Sequence, residues 1–256
     1  HYDHVDRFVI AECDHTFTRK FKGFNLEKHK ERFAPWWDKI TLLQLSDIPV
    51  VGNAWTMEHW QRGCFKKGWA DLSPEDIVII ADVDEMLRPE AFELMRNTNY
   101  DFYGFAMPTF YFRFNYMNYN DHYPWRLKAY RGYFGDGQSM RQMDSKPGSD
   151  SKIELHHGGW HFSWLGDNAQ SLDKLQSFAH TELNIPQIAD NIDIERSIAM
   201  GRDHHRPELI WGPVKFDEYF PAEIRNNLSK YQHLILPDGD KTVQEYWPGG
   251  ILEPRK

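Results

Sequence analysis

The chain has 256 residues, enough for one α/β domain of ordinary size, and one domain over 1–256 is expected. A formal charge of −8 excludes a general nucleic-acid binder, which needs a basic face against phosphates. The two cysteines, Cys13 and Cys64, make no disulfide framework and fit no zinc spacing, and no run of eighteen apolar residues is present to span a membrane. The chain as given therefore reads as soluble, with a cytoplasmic setting favoured.

Val5 to Glu12 is a β-branched and aromatic run that predicts a first strand, and Lys39 to Leu45 predicts a second. Asn25 to Phe33 between them reads as helical, broken at Pro35. Met57, Trp60, Cys64 and Phe65 give Thr56 to Trp69 the spacing of an amphipathic helix. Ile77 to Ala81 is apolar on both faces, which predicts a strand in the middle of a parallel sheet covered by helices. It runs directly into Asp82-Val83-Asp84-Glu85. Pro89 to Arg96 reads as a helix with proline in its first turn, and Asp101 to Tyr116 as one or two strands. Gly132 to Ser151, rich in Gly, Ser, Asp and Lys, predicts a mobile loop able to close over a ligand. In the strand predicted around 156–164, alternation puts Trp160, Phe162 and Trp164 on one face and His157, His161 and Ser163 on the other. Ser171 to Leu183 is the next helix, with Lys174 off its apolar side, and the tail from Leu236 reads as irregular.

The carboxyl end of a buried strand is where open α/β sheets bind ligands, and two acids two residues apart on an extended chain point to the same side. Asp82 and Asp84 are thus candidate ligands for Mn²⁺ or Mg²⁺, because three adjacent carboxylates after an apolar strand need a cation to stay ionised. The bland reading is an acidic turn before the helix at Pro89. His161 is a candidate third ligand from its polar face, against the ordinary role of a satisfied structural histidine. Lys174 and Arg62 are candidates for meeting a diphosphate, Asp82 for contacting the donor through the cation, and Glu12 for a base or ribose at the same sheet edge; each cation is equally at home as solvated surface.

Four stretches, Val5 to Glu12, Glu58 to Arg62, Asp76 to Glu85, and Gly159-Trp160-His161-Phe162-Ser163-Trp164 with the helix around Lys174, Ser177 and His180, resemble glycosyltransferase family 17. The resemblance implies a GT-A-like, Rossmann-like, mostly parallel central sheet flanked by helices. It further implies a UDP-GlcNAc-type donor, Mn²⁺ or Mg²⁺ at Asp82 and Asp84, a glycan or other carbohydrate acceptor, and inversion at the anomeric carbon. The family pattern includes an upstream strand with a Glu-Leu-Asp type segment, so an upstream piece is expected to complete the donor contacts. Glu85 is the first candidate for the base that takes the acceptor proton, and Asp167 the second. Two other readings stand beside this one: a metal-dependent nucleotidyl or phosphoryl transferase, and a carbohydrate-binding protein with a structural Ca²⁺. The aromatic stretch Phe110 to Tyr119 favours a sugar acceptor.

Overall fold

The computed structural model describes residues 1–120 and 127–255. Strands β1 (Phe8–Cys13) and β2 (Ile40–Leu45) pair in parallel, Phe8 opposite Ile40 and Cys13 opposite Leu45. Parallel neighbours need a crossover. It runs through a strap, 14–24, then two one-turn helices, α1 (Asn25–Lys28) and α2 (Lys30–Phe33), and a 3-10 turn that contains Pro35. Helix α3 (Ala54–Gly63) begins at Asn53, whose side chain accepts from the Thr56 amide and so satisfies one free donor of the first turn. Met57 and Cys64 bury its apolar stripe against Ala11, Cys13 and Leu45.

Strand β3 (Ile77–Ile80) is followed by β4 (Glu85–Leu87), α4 (Pro89–Asn97), β5 (Phe102–Phe105), β6 (Thr109–Tyr111) and β7 (Tyr116–Asn118). Then come β8 (Leu127–Arg131), α5 (Gly137–Gln142), β9 (Lys152–Leu155), β10 (Gly159–Ser163), α6 (Asn168–Ser177) and β11 (Trp211–Pro213), with short helices elsewhere in the last third of the chain. They build a four-stranded sheet in the order β3-β8-β5-β9 and a five-stranded sheet in the order β11-β7-β6-β10-β4. Both are mixed: β5–β9 and β6–β10 run parallel, and the remaining pairings in them are antiparallel.

The α/β class holds, but the expected mostly parallel central sheet is not seen. The strand Ile77–Ile80 lies at an edge of its sheet, antiparallel to β8. Burial on both faces had suggested a parallel interior, and both faces are indeed covered. Val78 and Ile80 pack with Trp69, Phe102, Tyr130 and Met140, while Ile77 and Ile79 pack on the cluster built around α4. Two-sided burial follows from what lies above and below a strand and does not fix the direction of its neighbour. Each such side chain contributes about 1.5–3 kcal/mol of burial.

Two other expectations are corrected. The stretch 132–151 carries α5, whose Met140 is fully buried and whose cap is the Asp136 carboxylate, accepting from the Gln138 and Ser139 amides. Phe110, Phe112, Phe114 and Tyr116 are core residues, so they offer no platform to a sugar. Among the described residues no helix is long and apolar enough to cross a membrane.

Candidate active site

Strand β3 stops at Ile80, and residues 81–84 form a turn rather than a continued strand. The Glu85 amide donates to the Asp82 carbonyl (3.0 Å), and the Asp82 amide donates to the Glu85 carboxylate (2.9 Å). Val83 sits at the tip, fully exposed. The turn sends Asp82 and Asp84 to different hydrogen-bonding partners, and the extended backbone expected across them does not arise.

Asp82 is the most open, with its side chain 42% exposed; one oxygen is 3.1 Å from the Arg62 guanidinium and the other 3.2 Å from that of Arg141. Glu85 is the most closed, with 1% of its side chain exposed and both oxygens bound by Arg141 at 2.5 and 2.9 Å. Burial pushes the Glu85 pKa above its ordinary value even though the Arg141 charge opposes this. Arg141 in turn loses by burial and gains more from Glu85 and Asp82, so its own pKa rises.

Asp84 faces β10. One oxygen accepts from the Ser163 hydroxyl (2.9 Å) and lies 3.5 Å from the Lys174 ammonium, and the other lies 3.4 Å from His161 Nε2. Pairing of β4 with β10 causes this, since Glu85 stands opposite His161 and the Phe162 amide donates to the Asp84 carbonyl. Burial raises the Asp84 pKa, but His161, Lys174 and Ser163 outweigh it and hold the carboxyl well below the usual range. Strand alternation is as read from the sequence over Trp160 to Ser163, with Trp160 and Phe162 buried in the core. His157, however, precedes the strand in a turn at positive φ and is fully buried, bonded to the Tyr219 hydroxyl and the Trp247 carbonyl.

Other candidates are already engaged. Glu12 accepts from the Asn25 and Leu26 amides and caps α1. Asp167 is the N-cap of α6, in a reciprocal capping box with Gln170. Arg62 holds Glu58 (2.7 Å) as well as Asp82, and donates to Gln138. Lys174 also donates to the Ser163 hydroxyl (3.0 Å) and lies over the Trp164 ring. Glu85, the first candidate for the base, is buried with both oxygens on Arg141. The carboxylate of Asp167, the second candidate, accepts from the Gln170 amide in the first turn of α6.

Arg141 escaped the sequence reading because it lies among Gly, Ser and Lys without apolar periodicity. The one local signal was Asp136-Gly137, a capping residue ahead of a short helix. The acids also meet cations from within the chain, Arg62, Arg141 and Lys174. Of the candidate ligands Asp82, Asp84 and His161, Asp84 and His161 approach each other, a carboxylate oxygen 3.4 Å from the imidazole Nε2 on partly exposed side chains, while Asp82 faces Arg62 and Arg141. That donor pair suits Mn²⁺ better than Mg²⁺, which keeps to oxygen.

The sequence profile of glycosyltransferase family 17 matches residues 1–218, a span that holds every residue of this site. No curated protein and no solved structure matches the chain.

Proposed function

Because the chain belongs to glycosyltransferase family 17, we propose that it moves a sugar, GlcNAc, from a UDP-sugar to a carbohydrate hydroxyl with inversion, using the corner between the acidic turn and β10. Family membership supplies the reaction class, a sugar donor and an acceptor, and displaces the nucleotidyl-transferase and sugar-binding readings. The observation that carries the finer reading is the approach of Asp84, His161 and Lys174 at one half-open corner.

In this reading Asp84 and His161 hold the divalent cation. Such a cation supplies charge neutralisation on the departing diphosphate, worth several kcal/mol. Lys174 and Arg62 exchange part of their pairing to Asp84 and Asp82, at 3.5 and 3.1 Å, for phosphate oxygens, Arg62 keeping its bonds to Glu58 and Gln138. The acceptor proton goes to Asp82, whose carboxylate is the most exposed in the turn. Inversion then follows from a single displacement on the sugar's open face.

The test is Asp84→Ala. The parent is expected to release UDP from UDP-GlcNAc in Mn²⁺ and to melt at higher temperature with Mn²⁺ and UDP together than with either alone. The variant should lose transfer by a factor on the order of 10³ and lose the joint thermal shift, while still unfolding cooperatively at a lowered melting temperature in buffer. Full activity of the parent in a chelator sinks the metal part of this reading, and a different nucleotide sugar giving the only thermal shift sinks the choice of donor.

A further inference from the structure

Among the described residues, one group of three donors of metal-ligand type converges within 4.8 Å: Cys13 Sγ, an Asp14 carboxylate oxygen and a His15 ring nitrogen. They end β1, away from the acidic turn in sequence. His15 Nδ1 lies 2.6 Å from Asp14 Oδ1, and Cys13 Sγ lies 3.8 Å from the same oxygen. The backbone that carries them is fixed on both sides. The Asp14 amide donates to Leu45 of β2, and the Asp14 carbonyl accepts from the Lys22 and Gly23 amides. A bridge between His15 and Phe21, with a bond from the Thr16 amide to the Lys20 carbonyl, closes the strap into a tight hairpin. The three side chains are thus held together before any ligand arrives.

We propose that Cys13, Asp14 and His15 form a binding site for a zinc-class divalent cation, separate from the sugar-transfer corner and independent of the function proposed there. Tetrahedral Zn²⁺ with its usual bond lengths sets sulfur about 3.6 Å from oxygen and nitrogen about 3.3 Å from oxygen. The sulfur–oxygen distance here already matches. The shorter histidine–carboxylate contact is a hydrogen bond whose proton occupies the space between the two donor atoms. Binding would replace the thiol proton, which leaves to solvent, and would put the metal where the Nδ1 proton lies, that proton moving to Nε2 so that the imidazole stays neutral; the contact would widen. A thiolate, an imidazole and one carboxylate form a borderline-soft set that selects Zn²⁺ or Co²⁺ over Mg²⁺ and Mn²⁺. Cys13 is 1% exposed and His15 keeps a partly open side chain, so the cation would enter from the histidine side, with its fourth position left to water. The strap it would tie to β1 reaches α6, where Thr18 donates to the Gln176 carbonyl (3.0 Å), two residues beyond Lys174.

The experiment is titration of the tag-free chain with Co²⁺, read by the charge-transfer absorption of a cobalt–thiolate bond and the visible bands of tetrahedral cobalt. One equivalent is expected to produce both, and Zn²⁺ to abolish them. Cys13→Ser should remove the charge-transfer band, and His15→Gln, at a partly exposed position with little folding risk, should weaken Zn²⁺ binding roughly tenfold or more. Cys64→Ala and Asp84→Ala should leave the spectrum unchanged, which separates this site from the other cysteine and from the sugar-transfer corner. Absence of a thiolate band in the parent, a band that survives Cys13→Ser, or unaltered Zn²⁺ affinity in His15→Gln would each overturn the proposal.

Discussion

The end of β10 divides two surroundings that solve one problem in opposite ways. On the side of His161 and Ser163, three carboxylates of graded exposure each meet a cation: Asp82 meets Arg62 and Arg141, Glu85 meets Arg141, and Asp84 meets Lys174 beside His161. On the side of Trp164, His204 and His205 pack with Trp164, Tyr111 and Phe112, and both nitrogens of His204 and Nδ1 of His205 lack a hydrogen-bond partner among the described residues. Burial drives their pKa values down, to about 4 for His204 and about 3 for His205, so both are neutral. Asp203 lies 3.8 Å from His205 Nδ1, but burial outweighs its charge there, whereas the lysine and arginine partners on the first side are hydrogen-bonded to the acids. On the second side Arg206 pairs with Asp203, the latter buried.

The strongest way to break this contrast is to remove charge from the turn without changing its volume. Asp82→Asn keeps the size of the side chain and its bonds to Arg62 and Arg141 in part, but takes away the proton acceptor. Turnover is expected to fall by about 10²–10⁴ while the donor Kd moves by no more than a few-fold. Steady-state kinetics with donor binding measured separately decide it: equal losses in the two would make Asp82 a donor or metal contact instead of a base.

Next in size is the structural half of the same network. Arg141→Leu leaves Glu85, with 1% of its side chain exposed, as an unpaired buried carboxylate. Breaking a buried pair from one end costs about 3–5 kcal/mol, and replacing both ends with apolar groups recovers much of that. Urea unfolding of Arg141→Leu and of Arg141→Leu with Glu85→Leu should therefore show a large loss and then a partial return. A loss under about 1 kcal/mol for the single variant would mean that water reaches Glu85 and that the pair is an ordinary surface contact.

How much of this was legible in the sequence divides along the same line. β1, β2, β3, α3 and α4 follow from apolar spacing and from Pro89, since these are local signals of period two or near 3.6. So does the outward turn of His161 between Trp160 and Phe162. Sheet direction was not legible, because β8 and β5, which set the surroundings of β3, are remote in sequence. Arg141 was hidden for the same reason: it lies 56 residues from Glu85, and nothing near it indicates that it must be buried. Cys13-Asp14-His15 was passed over because zinc signatures rely on spaced pairs, whereas here a strand end and a hairpin fold three neighbours onto one point.

The smallest expected effect is the one that sharpens the contrast most, because the two sides titrate in different windows. An unfolded histidine takes its proton near pH 6.5, whereas folded His204 and His205 take theirs only at about 4 and about 3. Between pH 6.5 and about 4 the unfolded chain binds protons that the folded chain refuses, so each of these residues lowers stability by about 1.4 kcal/mol per pH unit as acid is added; above pH 6.5 neither has an effect. Buried His157, at about 4, adds to the same slope. Asp84 behaves otherwise: its depressed folded pKa adds stability that is fully present above the unfolded value of about 3.9 and is lost only as the pH falls below it. His204→Phe keeps an aromatic ring against Phe112 and Trp164 and removes one titrating group. Urea unfolding at pH 7, 6 and 5 should show a stability loss between pH 6 and 5 that is smaller by about 1 kcal/mol in the variant, with a lesser difference between 7 and 6 and sugar transfer at pH 7 unchanged. A slope equal to the parent's would show that His204 accepts a proton inside the fold, and the division of the two sides into charged and neutral would then fail at that residue.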